Sequence, residues 1–104
     1  MDVRFHEDAE EEFAKAVAYY NREREGLGFA FGREVRKAIA RIQSQPKAHT
    51  ILFQDFRRVR TKRFPYGVVY RIKENGILIV AVMHLRRAPD YWLKRLIPFN
   101  GLRR

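Results

Sequence analysis

The residues of this sequence that could do chemistry are cations, aromatic rings and one histidine. Residues 58–64 alternate in character, and a strand period of two places Arg58, Arg60 and Lys62 on one face. Side chains on one face of a strand repeat about every 6.6 Å, which roughly matches successive phosphates of a nucleic-acid strand. The row predicts a surface that binds an anionic target, although a plain solvated basic face has the same pattern.

A second group of candidates follows the most apolar segment of the chain. His84 ends that segment, Arg86 and Arg87 come next, and Tyr91 and Trp92 follow. Arginines beside a histidine or tyrosine suit metal-independent cleavage of RNA, because cations stabilise the phosphorane-like transition state and a ring moves the proton. The same rings also suit stacking on a base or anchoring a partner. A histidine bonded to the backbone and a tryptophan in the core are the simpler alternatives.

Several classes of chemistry lack the residues they need. The chain has no cysteine, so disulfides and thiolate sites are excluded. His6 and His49 lie far from each other and from His84, and no histidine stands at ligand spacing from the acidic start of the first helix. Neither a Gly-rich phosphate loop nor a nucleophile motif is present. We therefore expect no metal, no cofactor and no small-molecule ligand, and a solvated start for an acidic helix.

The charge is distributed very unevenly along the 104 residues. The formal net charge is +10, yet residues 1–56 contain nine basic and ten acidic residues, whereas residues 57–104 contain thirteen basic and two acidic ones. Such an excess favours a polyanionic partner. The length predicts a single domain over residues 1–104, with a flexible basic tail at 98–104. No apolar run predicts a membrane span or signal peptide, so we expect a cytoplasmic protein without a membrane partner.

Hydrophobic periodicity predicts an α+β fold. A helical period gives way to a strand period near Pro46, and Gly26 interrupts the helical part. The predicted order is a strand at 3–5, helices at 7–24 and about 28–44, antiparallel strands at 58–64, 68–72 and 77–83, and a short helix from 88 to about 96. We expect the helical hairpin to pack on one face of a small, mainly antiparallel sheet.

The ordered set of motifs resembles the toxins of the RelE/ParE superfamily of type II toxin–antitoxin modules over residues 3–96. The motifs are Ala9…Phe13…Ala16…Tyr19-Tyr20…Gly26-Leu27-Gly28…Phe31, Ile42…Pro46, Arg63-Phe64-Pro65-Tyr66-Gly67, and Met83-His84-Leu85-Arg86-Arg87-Ala88-Pro89-Asp90-Tyr91-Trp92. The resemblance implies a small basic toxin that an acidic antitoxin neutralises. It also implies a role in plasmid maintenance or stress response.

The superfamily divides by target. RelE-like members cleave mRNA on the ribosome, and ParE-like members inhibit DNA gyrase without cleaving RNA. The resemblance to RelE-like nucleases implies roles for Arg58 and Arg60, for Arg86 or Arg87, and for Tyr91. Together with His84 from the residue pattern, the candidate catalytic set is Arg58, Arg60, His84, Arg87 and Tyr91. With Lys62 from the cation row, the candidate binding set is Arg58, Arg60, Lys62, Arg86 and Arg87. The exposed-ring reading of Tyr91 and Trp92 makes them candidate contacts for a partner.

One departure from the nuclease pattern bears on the choice. RelE-type nucleases carry an arginine three residues before the position of Tyr70, and this chain has Gly67 there. The long helical hairpin and the Phe-Pro-Tyr turn are more typical of ParE-like members. Three hypotheses follow: a ParE-like gyrase inhibitor, which is favoured, a RelE-like endoribonuclease, and a non-toxic member that survives as a binding module. Enzymatic activity is left open.

Overall fold

A computed structural model describes residues 1–96 and confirms the α+β class. The predicted basic tail at 98–104 lies outside the described residues. In chain order the elements are β1 (Asp2–Phe5), α1 (Glu7–Glu23), α2 (Leu27–Ser44), β2 (Thr50–Phe53), β3 (Phe56–Arg60), β4 (Tyr66–Lys73), β5 (Gly76–His84) and a 3-10 helix (Tyr91–Leu96). None of the helices within residues 1–96 is long and apolar enough to cross a membrane.

The five strands within this part of the chain form one sheet in the order β1-β5-β4-β3-β2. Strands β2 to β5 pair antiparallel to their neighbours, whereas β1 pairs parallel to β5. The pairing of β1 ends where Phe5 meets Ile79. The last part of β5 therefore extends past β1 and needs other partners for its outer backbone groups.

Two strand predictions are wrong. Strand β2 was not predicted, so the expected three-strand meander has a fourth strand at its outer edge. Strand β3 starts at Phe56 and ends at Arg60, not at residue 64, because the Thr61 N–H and hydroxyl bond to the carbonyls of Tyr66 and Phe64 in a turn. Lys62 lies in that turn, so β3 does not carry it in register with Arg60. The predicted last helix is 3-10 in type and begins only at Tyr91.

The helical hairpin is held by a close crossing between α1 and α2. Gly26 takes a left-handed conformation, with a φ of 86°, and reverses the chain. The Asn21 side chain then accepts a hydrogen bond of 2.7 Å from the Gly28 backbone N–H. A Cβ on Gly28 would lie 2.2 Å from the Val17 carbonyl oxygen. The two helices approach this closely only because residue 28 has no side chain.

The hairpin covers one face of the sheet, which we call the helix face. Phe31 of α2 packs against Tyr66 of β4 at 4.8 Å between ring centroids, and Tyr20 of α1 packs against Phe64 at 5.0 Å. The ring of Tyr70 is fully buried, and its hydroxyl donates to the Pro46 carbonyl just past α2. This bond fixes the end of the hairpin to the middle of the sheet.

The other face, which we call the open face, is covered in part by the 3-10 helix. Trp92 is fully buried there and packs on Phe56 of β3 at 4.8 Å between ring centroids. A bulge in β5 makes Val80 an extra residue between Ile79 and Ala81. The bulge reverses the alternation of side chains along β5. Residues after Val80 therefore point to the opposite face from the one that a strict period of two would give.

Two glycines of α2 allow a matched test of the helix crossing. We expect Gly28→Ala to lower the free energy of unfolding by about 2 kcal/mol, since the new Cβ clashes with α1 backbone. Gly32→Ala should raise it by about 0.5–1 kcal/mol, because the new Cβ there meets only the flexible Arg36 side chain at 3.5 Å and alanine favours helix. Urea unfolding of both variants measures this; equal effects would contradict the close crossing.

Candidate functional site

Two cations of the predicted row lie on the open face. Arg58 pairs across the sheet with Val69, and Arg60 pairs with Gly67. The Arg58 side chain crosses directly over Gly67, since a Cβ on residue 67 would come within 2.8 Å of the Arg58 Cδ. The aliphatic stem of Arg58 therefore occupies the space that a side chain at position 67 would need.

These two cations are not balanced by nearby acids. Neither Arg58 nor Arg60 takes part in an ion pair among residues 1–96. Burial and the neighbouring charge of Arg60 both lower the pKa of Arg58 from its usual value. The open face thus holds two adjacent cations that an anionic group would stabilise.

His84 lies on the helix face, because the bulge at Val80 reverses the alternation of β5. Its ring packs against Tyr66 at 5.2 Å between centroids, and Tyr66 in turn packs against Phe31 of α2. The His84 Nδ1 accepts a hydrogen bond from the Arg86 backbone N–H at 3.1 Å. A neutral His84 ring therefore carries its proton on Nε2. The Arg86 side chain is exposed.

The carboxylate of Glu12 is the centre of the polar contacts around the outer edge of β5. It accepts from the Val82 backbone N–H at 3.0 Å and pairs with the Arg95 guanidinium at 2.6 Å. Arg95 also donates to the Val80 carbonyl at 2.9 Å. The side chains of Glu12 and Arg95 are 16% and 10% exposed, so this is a largely buried ion pair.

Two predicted site residues belong to this cluster. The Tyr91 hydroxyl donates to Glu12, and Arg87 lies 3.4 Å from the Glu12 carboxylate and 3.5 Å from the centre of the Tyr91 ring. Burial and the bond to Glu12 strongly raise the pKa of Tyr91 above its usual value. The Tyr91 hydroxyl is therefore protonated and committed to a carboxylate. Trp92, a predicted partner contact, faces the protein's own interior.

The expectation of a solvated acidic helix start is wrong for Glu12. Its neighbour Glu11 does behave in that way, since its side chain is 63% exposed and lies 3.4 Å from Lys15. Nothing in the run of acids at the start of α1 distinguishes Glu12, because its role depends on the distant Arg95 and on the unpaired end of β5. Arg95 was likewise not predicted as a site residue.

The candidate groups therefore lie in three separate places. Arg58 and Arg60 lie on the open face, and His84 lies on the helix face beside α2. Arg87 and Tyr91 lie at the edge of β5 with Glu12. The open face can bind an anion, whereas the edge cluster consists of groups that already neutralise one another.

The two adjacent acids Glu11 and Glu12 provide a matched test of this cluster. We expect Glu12→Ala to lower the free energy of unfolding by about 3 kcal/mol, because it leaves the buried Arg95 cation unpaired. Glu11→Ala removes an exposed pair and should change it by no more than about 0.5 kcal/mol. Denaturant unfolding followed by Trp92 fluorescence measures both, and a Glu12→Ala effect as small as that of Glu11→Ala would refute the assignment.

Comparison with known proteins agrees with the fold and with the motifs. Residues 3–89 match the family model described as the ParE toxin of the type II toxin–antitoxin system parDE. Two curated relatives, both called Toxin ParE2, come from Mycobacterium tuberculosis strains CDC 1551 / Oshkosh and ATCC 25618 / H37Rv. Each is 28% identical to this chain over 89 residues, which cover 85% of either sequence. The chain therefore belongs to the ParE toxin family of type II toxin–antitoxin systems.

Proposed function

We propose that this ParE-type toxin inhibits DNA gyrase by binding it and has no catalytic centre of its own. A cognate acidic antitoxin neutralises the toxin in the cytoplasm. Family membership supports a toxin with an antitoxin partner. Three points go beyond family membership and are proposed: gyrase is the target, inhibition occurs by binding, and the role is plasmid maintenance.

The observation that carries the proposal is the separation of the candidate nuclease groups. RNA cleavage needs an acid or base within hydrogen-bond reach of the phosphate that the cations hold. Here the cations Arg58 and Arg60 lie on the face opposite to His84. The Tyr91 hydroxyl is bonded to Glu12. A surface that binds without reacting accounts for this arrangement more simply than an active site does.

One observation favours a second candidate function. The uncompensated pair of Arg58 and Arg60 suits the phosphates of a message as well as an acidic protein surface. A RelE-like endoribonuclease therefore remains the alternative, with a non-toxic binding module as the third.

Expression of the chain without its antitoxin separates the three functions. The proposal predicts growth arrest, induction of the DNA-damage response, intact messages, and loss of supercoiling by purified gyrase in the presence of the purified toxin. Rapid cleavage of translated messages would instead establish the nuclease. Normal growth with soluble expression would leave the binding module.

Two alanine variants sharpen the distinction. We expect Arg60→Ala to weaken gyrase inhibition at least about tenfold, because it removes an exposed cation from the binding face. His84→Ala should leave inhibition unchanged, whereas a nuclease that uses His84 would lose about 100-fold or more in rate. Arg33→Ala on the exposed side of α2 is the control for charge, and thermal unfolding checks that each variant is folded. If His84→Ala loses gyrase inhibition while Arg60→Ala retains it, the proposal is contradicted.

A further inference from the structure

A basic cavity lies beside the outer edge of the sheet, apart from the Glu12 cluster. It has a volume of about 340 Å³ and opens between the end of α2, the loop before β2 and the end of β3. The lining residues are Arg41, Ala48, His49, Thr50, Arg58, Val59 and Arg60. Among residues 1–96, three arginines and one histidine line the cavity and no carboxylate does.

Arg41 brings a third cation to the wall of the cavity. Its Nη2 donates to the Arg60 carbonyl at 3.0 Å, which holds the guanidinium over the end of β3. The described part of the chain supplies no ion pair to Arg41, Arg58 or Arg60. An oxyanion is the ligand that such a set of donors and charges would stabilise.

Strand β2 gives the cavity a second, independent binding feature. Among residues 1–96 it pairs with β3 on one side only, so its other side presents backbone N–H and C=O groups. Ile51 and Phe53 are 55% and 41% exposed, and no charged residue or proline protects the strand. Thr50 begins β2 and also lines the cavity, so the open edge leads directly into the basic cavity.

We propose that β2 and the basic cavity together form the docking site for an extended acidic segment of a protein partner. The segment adds to the sheet beside β2, covers Ile51 and Phe53 with apolar side chains, and places a carboxylate in the cavity beside Arg41. An open edge of backbone groups with exposed apolar side chains matches a polypeptide, whereas a nucleic acid would use only the cations. The identification of this partner as the antitoxin rests on the proposed function.

The test uses the full chain and, as the probe, the purified cognate antitoxin that membership of the ParE toxin family implies. We expect hydrogen exchange of the amides at 50–53 to slow at least about tenfold in the complex, because strand addition protects edge amides. Calorimetry should show that Arg41→Ala raises the Kd at least about tenfold, since it removes a charge at the partner's carboxylate. Ile51→Lys should weaken binding as well. Arg33→Ala is the matched control and should leave the Kd unchanged.

The outcomes that overturn the proposal are distinct from failure of the proposed function. Unprotected amides at 50–53 together with unchanged Kd values in Arg41→Ala and Ile51→Lys would place docking elsewhere. A single-stranded oligonucleotide whose affinity falls in Arg41→Ala, while partner binding does not, would make the cavity a nucleic-acid site. Absence of any binding by the antitoxin would also overturn it. Gyrase inhibition by the free toxin is measured separately and stands or falls independently.

Discussion

Much of this structure depends on the backbone groups at the end of β5, beyond the last residue that pairs with β1. A buried strand edge needs partners for its N–H and C=O groups, and here Glu12 and Arg95 supply them at Val82 and Val80. One buried ion pair thus joins α1, β5 and the 3-10 helix. Its cost in desolvation is offset because both charged groups also satisfy backbone groups.

This connection determines what the two faces of the sheet can do. Because Arg95 holds the 3-10 helix against β5, Trp92 stays packed on Phe56 and part of the open face is closed. Arg58 and Arg60 remain as the cations that β3 presents on the open face. Arg87 and Tyr91, two of the candidate nuclease residues, contact Glu12 at this edge and so also help to hold the fold together.

The sequence predicts the elements with a strong period and fails where one local contact overrides the period. Both helices, β4 and β5 follow from their apolar spacing. Strand β2 is only four residues long and does not alternate, so it gives no signal. The Thr61 turn ends β3 early, and the bulge at Val80 moves His84 to the other face. Each of these depends on one local contact or on a single backbone irregularity, which composition does not record.

The contact between Arg58 and Gly67 has an evolutionary consequence. An arginine at position 67 and the present course of the Arg58 side chain exclude each other, since even a Cβ at 67 meets the Arg58 stem. The two positions are therefore epistatic: a substitution that adds a side chain at position 67 also reroutes the Arg58 side chain, so one change at Gly67 alters the open face at both positions.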